Sequence, residues 1–114
     1  MIKFTIVLRR NPKLTHDQFV QHHRTVHAPL FSSLPEVKQH VRRYSQCHST
    51  GDQLPGLPDS KIDGTTELWF DDLQGLASVF ASDAYMQTIR PDEAKFLDLH
   101  ACEFLLGMEH TVIG

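Results

Sequence analysis

The sequence predicts an α+β fold in the order β-α-β-β-α-β, and three observations predict it. Residues 2–9 alternate Ile2, Phe4, Ile6 and Leu8 with Lys3, Thr5, Val7 and Arg9, the period of a half-buried strand. Thr15 stands three residues before Gln18, a capping box that opens a helix, with Leu14 and Phe19 placed as its hydrophobic staple. Turn-rich segments then divide the rest of the chain into strand-sized and helix-sized runs.

Asn11-Pro12 ends the first strand, and the helix that starts at Thr15 carries Phe19, His23, Val26 and Leu30 on its buried face. Pro29 ends or kinks it near Ala28. Residues 37–48 read as a long strand with a polar face of His40, Arg42, Tyr44, Gln46 and His48. Residues 49–62, with Gly51, Pro55, Gly56 and Pro58, form a surface loop that joins it to a paired strand at 65–70. Asp71 or Asp72 caps a helix whose inner face holds Leu73, Leu76, Ala77 and Phe80, and residues 82–89 continue as a second helical piece. Pro91 suits the first turn of a further short helix, where Asp92 and Glu93 favour the positive end of the dipole. The last strand, 102–112, is apolar enough to be central.

This order is the ferredoxin-like plan, an antiparallel sheet with helices on one face. The strands offer apolar residues to both faces, so the uncovered face predicts a homodimer. A length of 114 residues, 40% of them hydrophobic, predicts one domain over 1–114. No run approaches the roughly 20 apolar residues of a membrane span, and the first residues lack a signal-like block, so a cytoplasmic protein without membrane contact is expected. A net charge of −3 argues against nucleic acid as a partner. Cys47 and Cys102 each fall within a regular segment and read as reduced, partly buried thiols.

Eight histidines are the compositional oddity, with His16, His22, His23 and His27 crowded together. His23 and His27, four residues apart, have metal-ligand spacing, with His40, His48, Asp92 or Glu93 as further donors. No carboxylate lies between the pair, and His23 reads better as a satisfied core residue, so no metal site is predicted. No cofactor is expected: no phosphate-cradling glycine loop, nucleophile elbow or haem-attachment cysteine pair is present.

Several motifs in order resemble the EthD-like family. They are the Thr15-x-Asp17-x-Phe19 helix start, His27-Ala28-Pro29, Glu67-Leu68-Trp69-Phe70-Asp71, Pro91-Asp92-Glu93 and Phe96-Leu97-Asp98. The resemblance implies a dimeric α+β barrel in which two four-stranded sheets pack together and each subunit keeps a pocket between sheet and helices. The family is chemically mixed. It includes 4-methylmuconolactone methylisomerase, proteins associated with ether degradation, and members encoded near polyketide or aromatic catabolic pathways. His27 matches the isomerase's acid–base histidine; His40 stands where that enzyme has a tyrosine, and Leu68 where it has a cysteine.

The expected activity is cofactor-independent acid–base catalysis of the isomerase, dehydratase, cyclase or decarboxylase type. Its substrate is a small oxygenated hydrophobic compound such as a lactone, phenol or polyketide intermediate. His27 moves the proton, Tyr44 or His40 polarises the oxygen, and His23, Arg42, Leu68, Trp69 and Phe70 line the substrate site. The alternatives are a non-catalytic binding or accessory protein, or an oxidoreductase component, of an oxidative degradation or biosynthetic pathway.

Overall fold

The computed structural model describes all 114 residues. Strand β1 spans Ile2–Leu8, β2 Val41–His48, β3 Gly64–Phe70 and β4 Glu103–Met108. They form one antiparallel sheet in the order β2-β3-β1-β4, the ferredoxin-like topology. The register sets Tyr44, Leu68, Phe4 and Leu106 in one row and Gln46, Thr66, Ile6 and Phe104 in the next, both on the helix-covered face. No helix is long and apolar enough to cross a membrane.

The first helix begins as α1, His16–His22, and both halves of the capping box are made: Gln18 N–H donates to Thr15 Oγ1 and Thr15 N–H to Gln18 Oε1. It does not stop at Pro29. A π-helical turn, His23–His27, carries it into α2, Ala28–Ser32, through a bond from Ala28 N–H to His23 O. A proline inside an α-helix has no N–H to give and its ring strikes the carbonyl one turn back. The extra residue of the wider turn shifts those carbonyls, and the helix absorbs the proline. It also shifts the buried face: Val26 is exposed, and the buried residues fall at steps of four, Phe19, His23, His27 and Phe31.

The second half of the helical layer repeats the device. Asp72 caps α4, Leu73–Phe80, through Gly75 N–H, with Val79 buried and Leu73, against expectation, exposed. A second π-turn, Tyr85–Ile89, leads directly into α5, Arg90–Phe96, with Arg90 N–H bonded to Tyr85 O. Pro91 therefore lies inside a continuing helix rather than opening a separate one, and Asp92 and Glu93 are buried instead of decorating a helix start.

Further expectations are corrected. The strand expected from residue 37 begins at Val41; Pro35–His40 is a short helix, α3, with proline at its start. Leu34 and Val37, three residues apart, pack into the core with Phe31, a spacing that suits a helix. The last strand is apolar but lies at the sheet edge, with Phe104, Leu105, Leu106 and Met108 exposed. The uncovered sheet face is more polar than expected, because the register brings Lys3, Glu67 and Arg43 around Trp69. Lys3 Nζ and the Arg43 guanidinium cover its ring at 4.9 and 4.6 Å, and Trp69 Nε1 donates to Glu109. Both cysteines are free, Cys102 buried and Cys47 exposed.

Candidate functional site

The core has two parts. One gathers Phe31, Leu68, Tyr85 and Ile89; the other gathers Leu8, Phe19, Phe96 and Leu97. A narrow cleft of about 30 Å³, partly open to solvent, lies between them under the helices. Its sheet side is made by Ile6, Tyr44, Thr66, Leu68 and Phe104, and its helix side by His23, His27, Phe31, Ile89, Glu93 and Phe96. A larger outer hollow of about 540 Å³ shares Ile6, Phe80, Tyr85, Glu93, Leu99 and Phe104 with it, so the two form one path to the surface. Twelve of the sixteen lining residues are hydrophobic, which makes the few polar atoms on the wall decisive for what it can accept.

The π-turn places His27 against α5. Its Nδ1 lies 2.8 Å from Asp92 Oδ2, and His22 Nε2 lies 2.9 Å from the other oxygen. A carboxylate only accepts, so both ring nitrogens carry the proton and His27 is fixed with Nε2 as its basic atom. Burial lowers the proton affinity of His27, and the bond and charge of Asp92 offset only part of that. His27 Nε2 has no protein partner and is not sealed off: the single buried side-chain N or O lacking a partner is Glu36 Oε2. Phe96 packs on both imidazoles of this trio at 4.8 Å between ring centres, holding their planes.

His23, one step earlier, is enclosed. Its Nε2 lies 3.0 Å from Thr66 Oγ1 and its Nδ1 2.8 Å from His48 Nε2. Burial, followed by the charges of His27 and His48, lowers its pKa to about 3, so this ring stays neutral. The backbone carbonyl of His23 accepts from Gln46 Nε2, whose other hydrogen goes to Tyr44 OH at 2.8 Å. Tyr44 therefore receives a bond from the protein, and its own hydrogen has no protein acceptor; the residue lines both the cleft and a shallow outer hollow beside Gln46. Burial pushes the phenol up to about 12, which makes it a donor rather than a phenolate.

Glu93 occupies the junction of cleft and outer hollow. Tyr85 OH and Arg90 Nε both donate to its Oε1. Burial, then the charge of Glu93, raises the pKa of Tyr85, so that phenol too stays protonated.

Of the residues singled out from sequence, His27, Tyr44, His23 and Leu68 come together on the cleft wall. His40 and Arg42 do not: His40 closes α3 beside Gly75, and Arg42 is exposed and paired with Asp71 at 2.8 Å, both on a separate polar surface hollow. Phe70 is fully buried in the core away from the cleft, and Trp69 faces the opposite side of the sheet. Asp92, Glu93 and Thr66 were missed as site residues. One signal for Glu93 was available, since Tyr85, Ile89 and Glu93 recur at steps of four, as His23, His27 and Phe31 do. No three His, Cys, Asp or Glu side chains are arranged to hold a metal ion.

The family model for the EthD domain matches residues 11–100. Among solved structures, an ethyl tert-butyl ether D (EthD) family protein of Bacillus halodurans is similar at a TM-score of 0.71 and 23% identity, covering 96% of this chain and 100% of its own. A dimeric ferredoxin-like protein of Thermobifida fusca is similar at a TM-score of 0.65 and 17% identity, over 93% of this chain and 88% of that one. A Nitrosomonas europaea protein provisionally called an antibiotic biosynthesis monooxygenase is similar at 0.62 and 11%, over 96% and 98%. No curated protein matches the sequence. With 90 consecutive positions matched and the four-stranded fold in common, the chain belongs to the EthD domain family.

Proposed function

We propose that this protein is an acid–base enzyme acting on a small, oxygenated, hydrophobic molecule, with His27 as the group that moves the proton. The observation that carries the reading is the Asp92–His27 pair on the wall of an apolar cleft, with Nε2 the one polar atom of the imidazole left unpartnered. Asp92 sets the tautomer and steadies the imidazolium formed when Nε2 accepts a proton. Tyr44 donates to the substrate oxygen on which charge develops, and Leu68 and His23 shape the wall beside it. Isomerisation, dehydration, cyclisation and decarboxylation all share this proton step.

The test is α-proton exchange of an enolisable probe, 2-tetralone, in D2O. The wild-type protein accelerates deuterium incorporation above the buffer rate, and His27→Gln lowers that acceleration by about 100-fold. Equal exchange by wild type and variant, or none above buffer, rejects the proposal.

We also propose that the active form is a homodimer. Exposed apolar residues on the edge strand, Phe104, Leu105, Leu106 and Met108, continue into Val112 and Ile113, exposed by 92% and 96%. Light scattering at micromolar concentration should return twice the chain mass; the mass of one chain refutes it.

A further inference from the structure

We propose that Glu93 is a second hydrogen-bond acceptor of the cleft, and that the ligand is an aromatic or enolic compound carrying two hydroxyl groups, one for His27 and one for Glu93. The inference rests on the acid–base reading only for the cleft as the ligand site and for His27 as one of its two anchors. A buried carboxylate costs free energy unless its oxygens are bonded, and native structures rarely leave one idle. Glu93 is 8% exposed, yet both protein donors, Tyr85 OH and Arg90 Nε, converge on Oε1 and none reaches Oε2. Oε2 is not sealed in either, since the single buried partnerless atom is on Glu36. The carboxylate therefore keeps one oxygen for something that enters the cleft.

The wall thus presents two acceptors, His27 Nε2 and Glu93 Oε2, and one free donor, the hydroxyl of Tyr44. A ligand that satisfies all three brings two hydroxyl hydrogens and one oxygen acceptor. A carboxylate ligand would set a like charge against Glu93, and a plain hydrocarbon would strip water from two acceptors without replacing it. Phe80 and Phe104, shared by the cleft and the outer hollow, supply faces and edges for a flat carbon skeleton that enters from the hollow toward those anchors. The two groups also act together: the charge of Glu93 raises the proton affinity of His27.

The experiment titrates the full-length protein with dihydroxynaphthalene isomers, 2-naphthol and the matching dimethoxynaphthalenes, followed by the probes' own fluorescence. In wild type the best diol binds about tenfold or more tighter than both the mono-hydroxy compound and its dimethyl ether, the value of one hydrogen bond to a charged acceptor. Glu93→Gln removes most of that advantage while leaving dimethoxynaphthalene affinity within about twofold, and its thermal melt shows that it folds. The wild-type comparison stands even if the variant does not fold. Diol binding no tighter than that of 2-naphthol, or unchanged in Glu93→Gln, overturns this inference and leaves the acid–base reading in place. Binding of none of the three compounds overturns this inference too, and the acid–base reading then stands or falls on 2-tetralone exchange alone. Glu93-dependent diol binding in a protein that fails to exchange 2-tetralone supports the inference and overturns the reaction assigned to His27.

Discussion

Replacing His23 tests whether a neutral imidazole is built into the core. His23 is 1% exposed and bonded at both nitrogens, and its pKa falls from 6.5 to about 3, chiefly through burial. The unfolded chain takes up a proton on this ring near pH 6.5, whereas the folded chain refuses it until about pH 3. Between those values the unfolded state binds more protons, so folding stability rises with pH and is lost as pH falls. From pH 7 to pH 5 the loss from this one group is about 2 kcal/mol, roughly 1.4 units at 1.36 kcal/mol each, because the unfolded ring is only partly protonated near pH 6.5. His27 and His48, both lowered by burial, add losses of the same sign. The carboxylates held low, Asp63 among them, add theirs only as pH falls into the ordinary carboxylate range. Urea unfolding at pH 7, 6 and 5, with the slope against denaturant held constant, measures the change. His23→Gln is less stable at pH 7 but loses about 2 kcal/mol less over the same interval. An equal loss in wild type and variant, or a wild-type stability flat from pH 7 to 5, refutes the neutral-core account.

Two other outcomes follow from the packing and the dyad. Phe19→Ala empties a fully buried site at the centre of the smaller core cluster and should cost about 3 to 5 kcal/mol in urea unfolding, with no recovery at any pH. Asp92→Asn keeps the shape but gives His22 and His27 an amide in place of the charge they share; 2-tetralone exchange falls by about tenfold or more, and the pKa of His27 followed by NMR drops.

Local signals in the sequence were reliable where local chemistry decides the outcome. The alternation of residues 2–9, the Thr15–Gln18 box and the Asp72 cap each recur in the structure because a strand pleat or a helix end needs only its near neighbours. Period counting failed where a proline lay inside a helix. A uniform step of 3.6 put Val26 and Leu30 on the buried face and made Pro29 and Pro91 boundaries; one inserted residue before each proline moved the face to His27 and Phe31 and buried Asp92 and Glu93. The same error hid the partner of His27, since an acidic pair at a helix start needs no explanation whereas the same pair in mid-helix does. His40 was misplaced for a different reason. An eight-residue strand preceded by a six-residue helix reads as one long polar strand when tertiary packing of Leu34 and Val37 is unseen.

The π-turns do more than tolerate two prolines. In an α-helix each residue turns by about 100°, so side chains four apart drift about 40° per step and a third residue leaves the face of the first. A π-turn closes its bond one residue later, turns less per residue and takes that drift back. The result is three successive cleft residues on each helix, His23, His27 and Phe31 facing Tyr85, Ile89 and Glu93. Across that gap the first helix supplies a histidine whose carboxylate partner comes from the second, one residue before the glutamate that also reaches the cleft. Neither helix alone holds a complete proton-handling group. The local widening that costs each helix some regularity is what brings the two halves within bonding distance.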